Sequence, residues 1–184
     1  MKENELVSIV EEQGWTCKKD EVGDCFCIIV VDNIQIQITP FVGRRADHFR
    51  VSLAPSISTR EFSEVVGFIY GEGRDYSPII LSNNPPKKLA SLSAEDVQQL
   101  ADEAISWALS QSLEDGLRAY RGLPTDAKGA MPLRHLAALA IAGEVERLEG
   151  YKQRFAEGDR LGFVPYITVD MVERAILVAR KHSK

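Results

Sequence analysis

A chain of 184 residues with 45% hydrophobic and 27% charged side chains has the makeup of an ordinary globular protein, which excludes a disordered or fibrous chain. The net charge of −5 comes with no basic run denser than Arg44-Arg45 or Lys87-Lys88, so the electrostatic footprint of a nucleic-acid binder is missing and no nucleic-acid partner is expected. No apolar run approaches the ~20 residues of a membrane span, the start MKENELVSIVEEQGW lacks a basic leader and an apolar core, and three cysteines are not the even set of a disulfide scaffold, so a soluble cytoplasmic protein without a membrane partner is expected.

Leu6, Val7, Ile9 and Val10 recur at helical spacing and Gly14 follows as a stop, which predicts an amphipathic helix over residues 3–13. The period then changes to two. Residues 15–19 alternate, residues 20–24 hold a Gly-containing turn, and Cys25 to Val31 is a β-branched and aromatic strand closed by a tight hairpin at Asp32-Asn33. Ile34, Ile36 and Ile38 alternate with Gln35, Gln37 and Thr39, the signature of a strand with one buried and one wet face. Residues 49–53 repeat the alternation and complete a four-stranded antiparallel meander. Ser58 and Glu61 form a capping box ahead of Phe62, Val65, Val66, Ile69 and Tyr70, predicting a helix on the sheet that ends at Gly71 and Gly73. Residues 78–81 read as a short fifth strand, and the breaker-rich 82–86 segment with Pro85-Pro86 marks a boundary. An α/β sheet region at 1–86 and a helical region at 87–184 are expected, packed as one compact unit.

In the second half Ser93 caps a helix whose stripe runs Val97, Leu100, Ala101, Ala104, Trp107 and Ala108, extending toward Leu113 and Leu117. Pro132 opens a helix over 133–142, Gly143 breaks it, and Val145, Leu148, Tyr151 and Phe155 line the next, which makes a helical hairpin. A last helix begins at Thr168 and ends on Arg180, Lys181 and His182, with charges that suit both ends of its dipole. The fold class is α+β: an antiparallel meander of about four or five strands with flanking helices, then a C-terminal helical region.

Three features are candidates for chemistry. Cys25 and Cys27 share a strand face with Cys17 on the neighbouring strand, but no histidine stands nearby and the spacing is not that of zinc ligands, so they read as small buried hydrophobes and no metal site is expected. His48, His135 and His182 are scattered; Asp47-His48 beside Arg44-Arg45 reads as a solvated loop. The loop from Gly158 to Tyr166 combines two glycines, a proline, Asp159, Arg160 and the apolar Leu161, Phe163 and Val164. It is either a fixed helix connection or a site in which Arg160, Phe163 and Tyr166 make the contacts, with Arg134 or His135 beside them. No phosphate loop, dinucleotide fingerprint, nucleophile elbow or metalloprotease motif is present, and no catalytic residue or cofactor is expected.

One asymmetry points to a surface. The strand Cys25 to Val31 is apolar on both faces, so something must cover Phe26, Ile28 and Val30: the C-terminal helices, or a partner.

The order helix, hairpin-connected strands, helix, strand, helix over about residues 3–110 resembles the type III secretion chaperone-like fold. The resemblance implies a dimeric or partner-binding α/β sandwich without catalysis, and the helices beyond about residue 130 depart from it. The expected function is a noncatalytic protein-binding module of a bacterial-type cytoplasm, whether chaperone, adaptor or immunity-type inhibitor, with another protein as partner and a homodimer as a further possibility. The alternatives are a small enzyme with its site between sheet and helical hairpin, and a structural homo-oligomer that buries Phe26, Ile28 and Val30.

Overall fold

Period-two and period-3.6 segments sort into strands and helices largely where the side chains demand. The computed structural model, which describes residues 1–183, contains in order α1 (Glu3–Glu12), β1 (Thr16–Lys19), β2 (Cys25–Val31), β3 (Ile34–Ile38), β4 (Phe41–Arg44), β5 (Phe49–Ser52), β6 (Ser56–Thr59), α2 (Arg60–Tyr70), β7 (Ile80–Leu81), β8 (Lys87–Leu89), α3 (Ala94–Leu109), α4 (Leu113–Arg121), α5 (Met131–Ile141), α6 (Val145–Ala156) and α7 (Val169–His182). The class is α+β, with antiparallel sheets and helices at the C-terminal end.

Two compact units divide the chain, and they are interleaved: residues 1–58 with 80–111 form the first, and residues 59–79 with those from Ser112 onward form the second. Pro85-Pro86 therefore lies inside the first unit, where a boundary was expected. Helices follow the partner of their apolar face, not their place in the chain. Helix α3 packs on α1, and α2 packs on α5 and α7.

In the first unit a five-stranded sheet runs β1-β2-β3-β6-β7. Asp32 and Asn33 take φ of 48° and 67°, the left-handed pair of a two-residue hairpin that suits the twist of the flanking strands. Across β2 and β3, Cys27 faces Ile38 and Ile29 faces Ile36. Cys25, Cys27, Ile36 and Ile38 are buried, together with Leu6 and Val10 of α1 and Val97, Ala101, Ala104 and Ala108 of α3. Segment 49–53 does not continue this meander. Strand β5 pairs with β4 and with β8 in a separate three-stranded sheet. Pro40, two residues after the end of β3, has no N–H to donate to a ladder, so the chain leaves the first sheet there. The first sheet is rejoined by β6, which contains Ser58, the expected helix cap. The cap is one residue later than expected: the Thr59 hydroxyl accepts from the Phe62 amide at 3.1 Å, while Ser58 is buried in the strand.

The second unit is built around α5. Its Leu133, Leu136, Ala137, Leu139 and Ala140 are buried, and the alanines let α2, α4 and α7 approach closely. Phe62 of α2 stacks on Tyr120 of α4 with 5.9 Å between ring centres. The stripe expected to run from Ser93 through Leu117 is two helices, because Ser112 caps α4 by accepting from the Asp115 amide at 3.2 Å. Ser93 with Asp96 forms a capping box on α3, as its spacing indicates.

Candidate functional site

The 158–166 loop is fixed from within the second unit. Asp159 accepts from the Leu161 amide at 2.8 Å and from Arg154 at 2.6 Å; the first bond, with Arg154 adding to it, holds its carboxyl below the usual carboxylate range. The Thr125 hydroxyl donates to the Leu161 carbonyl. Gly162 has a φ of 81°, a conformation that favours glycine, and a Cβ there would stand a tight 3.0 Å from Asp126 Cβ. Phe163 is buried, with ring centres 5.4 Å from Tyr151, 5.7 Å from Phe155 and 6.5 Å from His135. The Arg160 guanidinium donates to the carbonyls of Ile167 at 2.8 Å, Val164 at 3.1 Å and Pro165 at 3.4 Å, and lies 5.3 Å over the Phe155 ring. Tyr166 donates to the Gly129 carbonyl at 2.8 Å, and burial pushes its phenol up. Of the two readings of this loop, the geometry is that of a helix connection in which Arg160 and Phe163 are committed to packing.

His135 is fully buried. Its Nδ1 lies 2.7 Å from the Tyr120 carbonyl, and since a carbonyl only accepts, Nδ1 carries the proton. Nε2 then accepts from the Tyr151 hydroxyl at 3.1 Å, which in turn accepts from Arg147 Nε at 2.9 Å. Arg147 also donates to the Arg121 carbonyl at 3.1 Å. Arg134 donates to the Tyr120 hydroxyl at 3.2 Å, and that hydroxyl donates to the Pro78 carbonyl at 3.1 Å. The network ties α4, α5 and α6 together. Neither Tyr120 nor Arg147 was expected here; the local signal for the second is its spacing of four from Tyr151 on one helix face.

Burial, with Arg147 adding to it, pulls the His135 imidazole below its ordinary value, partly opposed by the Tyr120 carbonyl. The unfolded chain therefore binds a proton more readily than the folded one, and stability is full above the unfolded value of about 6.5 and declines as pH falls from there toward the folded value. Urea unfolding between about pH 7.5 and 5.5 should show this decline, and His135→Leu should lower stability at every pH while removing the part of the slope due to this group. An unchanged slope in the variant would contradict the assignment.

The outer face of β2 is different in kind. Phe26 and Ile28 are half-buried and Val30 is 60% exposed. The pairing register places Lys18 beside Phe26, Thr16 and Gln37 beside Ile28, and Gln35 beside Val30. An apolar row thus runs between polar flanks.

The cysteine reading needs correction. Cys17 and Cys27 stand directly opposite in the β1–β2 register and form a disulfide; directly paired strand residues bring their Cβ atoms close enough for a bond. Only Cys25 is a free thiol, buried, with its pKa raised by burial and by Glu3. The odd count therefore does not exclude a disulfide, and cysteine arithmetic carries no argument about compartment. Asp47 and His48 lie in the turn between β4 and β5, as the reading of a solvated loop has it, and hydrogen-bond there at 2.7 Å, which holds the Asp47 carboxyl below its usual range. No helix among the described residues is long and apolar enough to cross a membrane.

Residues 2–180 match the model of a family of unknown function, DUF6990, and the chain belongs to that family. No curated protein and no solved structure shows significant similarity to it.

Proposed function

We propose that the protein is a noncatalytic binding module that holds another protein against the outer face of β2 and β3. The observation that carries this reading is the stripe Phe26, Ile28 and Val30, open at Val30 and bordered by Lys18, Gln35 and Gln37. An apolar centre with a polar rim is the composition of a protein interface, and soluble proteins seldom leave such rows bare. The glutamine flanks suit a partner that offers apolar side chains together with amide or hydroxyl groups at the rim. The order of elements that resembles the type III secretion chaperone-like fold supports the same reading.

Affinity capture of the full chain from its native cells, followed by mass spectrometry, tests it. One dominant protein at near-equal stoichiometry is expected, and its recovery should depend on Val30. Recovery that survives a charge at Val30 counts against the proposal, as does light scattering showing that the stripe is closed by a second copy of the same chain.

A further inference from the structure

At the C-terminal end of α2 the turn 71–75 folds back onto the helix. A Cβ on Gly67 would stand 2.8 Å from the Arg74 amide and 2.9 Å from the Glu72 carbonyl, so the backbones meet there without room for a side chain. This close approach builds one wall of an open cleft of about 600 Å³, lined by Glu64, Phe68, Glu72, Arg74, Asp75 and Arg174, a size ordinary for small-molecule sites.

The arginines of this unit separate into two groups. Arg60, Arg118, Arg121, Arg147, Arg154 and Arg180 are ion-paired to carboxylates, and Arg160 is taken up by backbone carbonyls. Among the described residues Arg74, Arg134 and Arg174 have no carboxylate partner, and Arg74 and Arg174 line the cleft. Arg174 is half-buried and held by its Nε, which donates to the Ile69 carbonyl at 2.8 Å. Its outer edge passes beside Gly71, where Nη2 would lie 3.5 Å from a Cβ. Arg74 is held over the Tyr70 ring at 4.6 Å. Phe68, which lines the same cleft, is 48% exposed. Of the lining carboxylates, Glu64 is paired with Arg60, while Glu72 and Asp75 have no cationic partner among the described residues. The charges without an ion-pair partner that line this cleft are thus two guanidinium groups and two carboxylates, together with an exposed aromatic ring.

A guanidinium fork matches a carboxylate in two parallel hydrogen bonds, and neighbouring carboxylates disfavour a polyanion while attracting an ammonium. We infer that this cleft binds a small zwitterion with an apolar side chain, an α-amino acid or its dipeptide: the carboxylate on Arg174 and Arg74, the ammonium toward Glu72 and Asp75, the side chain on Phe68. The site is independent of the β2 face.

Isothermal titration of the full chain with L-leucine, L-phenylalanine and leucyl-leucine, each at millimolar concentration, tests it, with N-acetyl-L-leucine and L-leucinamide as arms that each lack one charge. Saturable binding of at least one zwitterion is expected, with each capped compound about tenfold weaker, the loss of one charge-assisted contact. Arg174→Gln and Arg74→Ala should each weaken it by about tenfold as well. Arg74 is exposed and caps nothing, so its variant keeps the test valid if Arg174→Gln unfolds the end of α2. No saturable binding by any zwitterion, capped compounds that bind as well as the free ones, or an affinity untouched in Arg74→Ala would each overturn the inference.

Discussion

Replacing Phe163 with alanine should destabilise the helical unit by about 3–5 kcal/mol, the cost of removing a buried aromatic ring whose space cannot close. The ring is 4% exposed and meets Tyr151, Phe155 and His135. Its backbone is pinned on both sides, by the Asp159–Leu161 turn and by the Arg160 guanidinium on the carbonyls of Val164 and Ile167. Local collapse into the cavity is therefore restricted. Tyr166→Phe is the contrasting case: it removes one hydrogen bond to Gly129 from a side chain that is 37% exposed, and should cost about 0.5–1.5 kcal/mol. Denaturant unfolding of both variants distinguishes a packed connection from a ligand site. A loss below about 1 kcal/mol for Phe163→Ala would mean that the loop does not depend on this ring.

Val30→Glu should leave the unfolding midpoint nearly unchanged and reduce partner recovery by tenfold or more. Val30 is 60% exposed, and substitutions at open positions shift stability by about 0.5 kcal/mol or less. In a complex the same position becomes the covered end of the apolar row formed with Ile28 and Phe26, and a carboxylate buried there without a partner costs several times that amount. Gln35, which faces Val30 across the β2–β3 pair, cannot neutralise the charge. A variant that loses stability and keeps its partner would place Val30 in the packing of the protein itself.

Much of the fold could be read from short stretches. The Asp32-Asn33 hairpin, the Ile34–Ile38 alternation, the Ser93 capping box and the Thr168 cap are local devices, complete within a few residues, and they appear where the spacing puts them. What escaped is nonlocal. Pro40 announces that a strand ends, but nothing near it says that β5 will pair with Lys87–Leu89 far along the chain. The four residues of β6 were hidden because Ser58 and Thr59 suit a helix cap as well as a strand, and Thr59 serves as both. Helix α2 carries an apolar stripe that fits a sheet or a helix equally, and its packing on α5 and α7 is decided by residues more than sixty positions away.

The candidate sites divide in the same way. Phe26, Ile28 and Val30 could be read from the two-faced apolar pattern of one strand, because alternation assigns faces without knowledge of the neighbours. The Cys17–Cys27 pair depends on the exact register across the 20–24 turn, and a one-residue slip would have put the thiols on opposite faces. The roles of Arg160 and His135 depend on carbonyls and hydroxyls brought in by other elements: Arg160 closes its own loop, and His135 is held between Tyr120 and Tyr151. A composition suited to a binding loop is also the composition of a loop that binds itself.

A partner held on the outer face of β2, as proposed, should be trapped there by site-specific photo-crosslinking. A benzophenone side chain is placed at Val30 in one preparation and at Leu177 of α7, which is 52% exposed, in another, and both are irradiated in native cells. A single dominant adduct of another protein is expected from position 30 and none from position 177. An adduct from position 177 alone, or a product from position 30 that is only a dimer of this chain, would contradict the proposal.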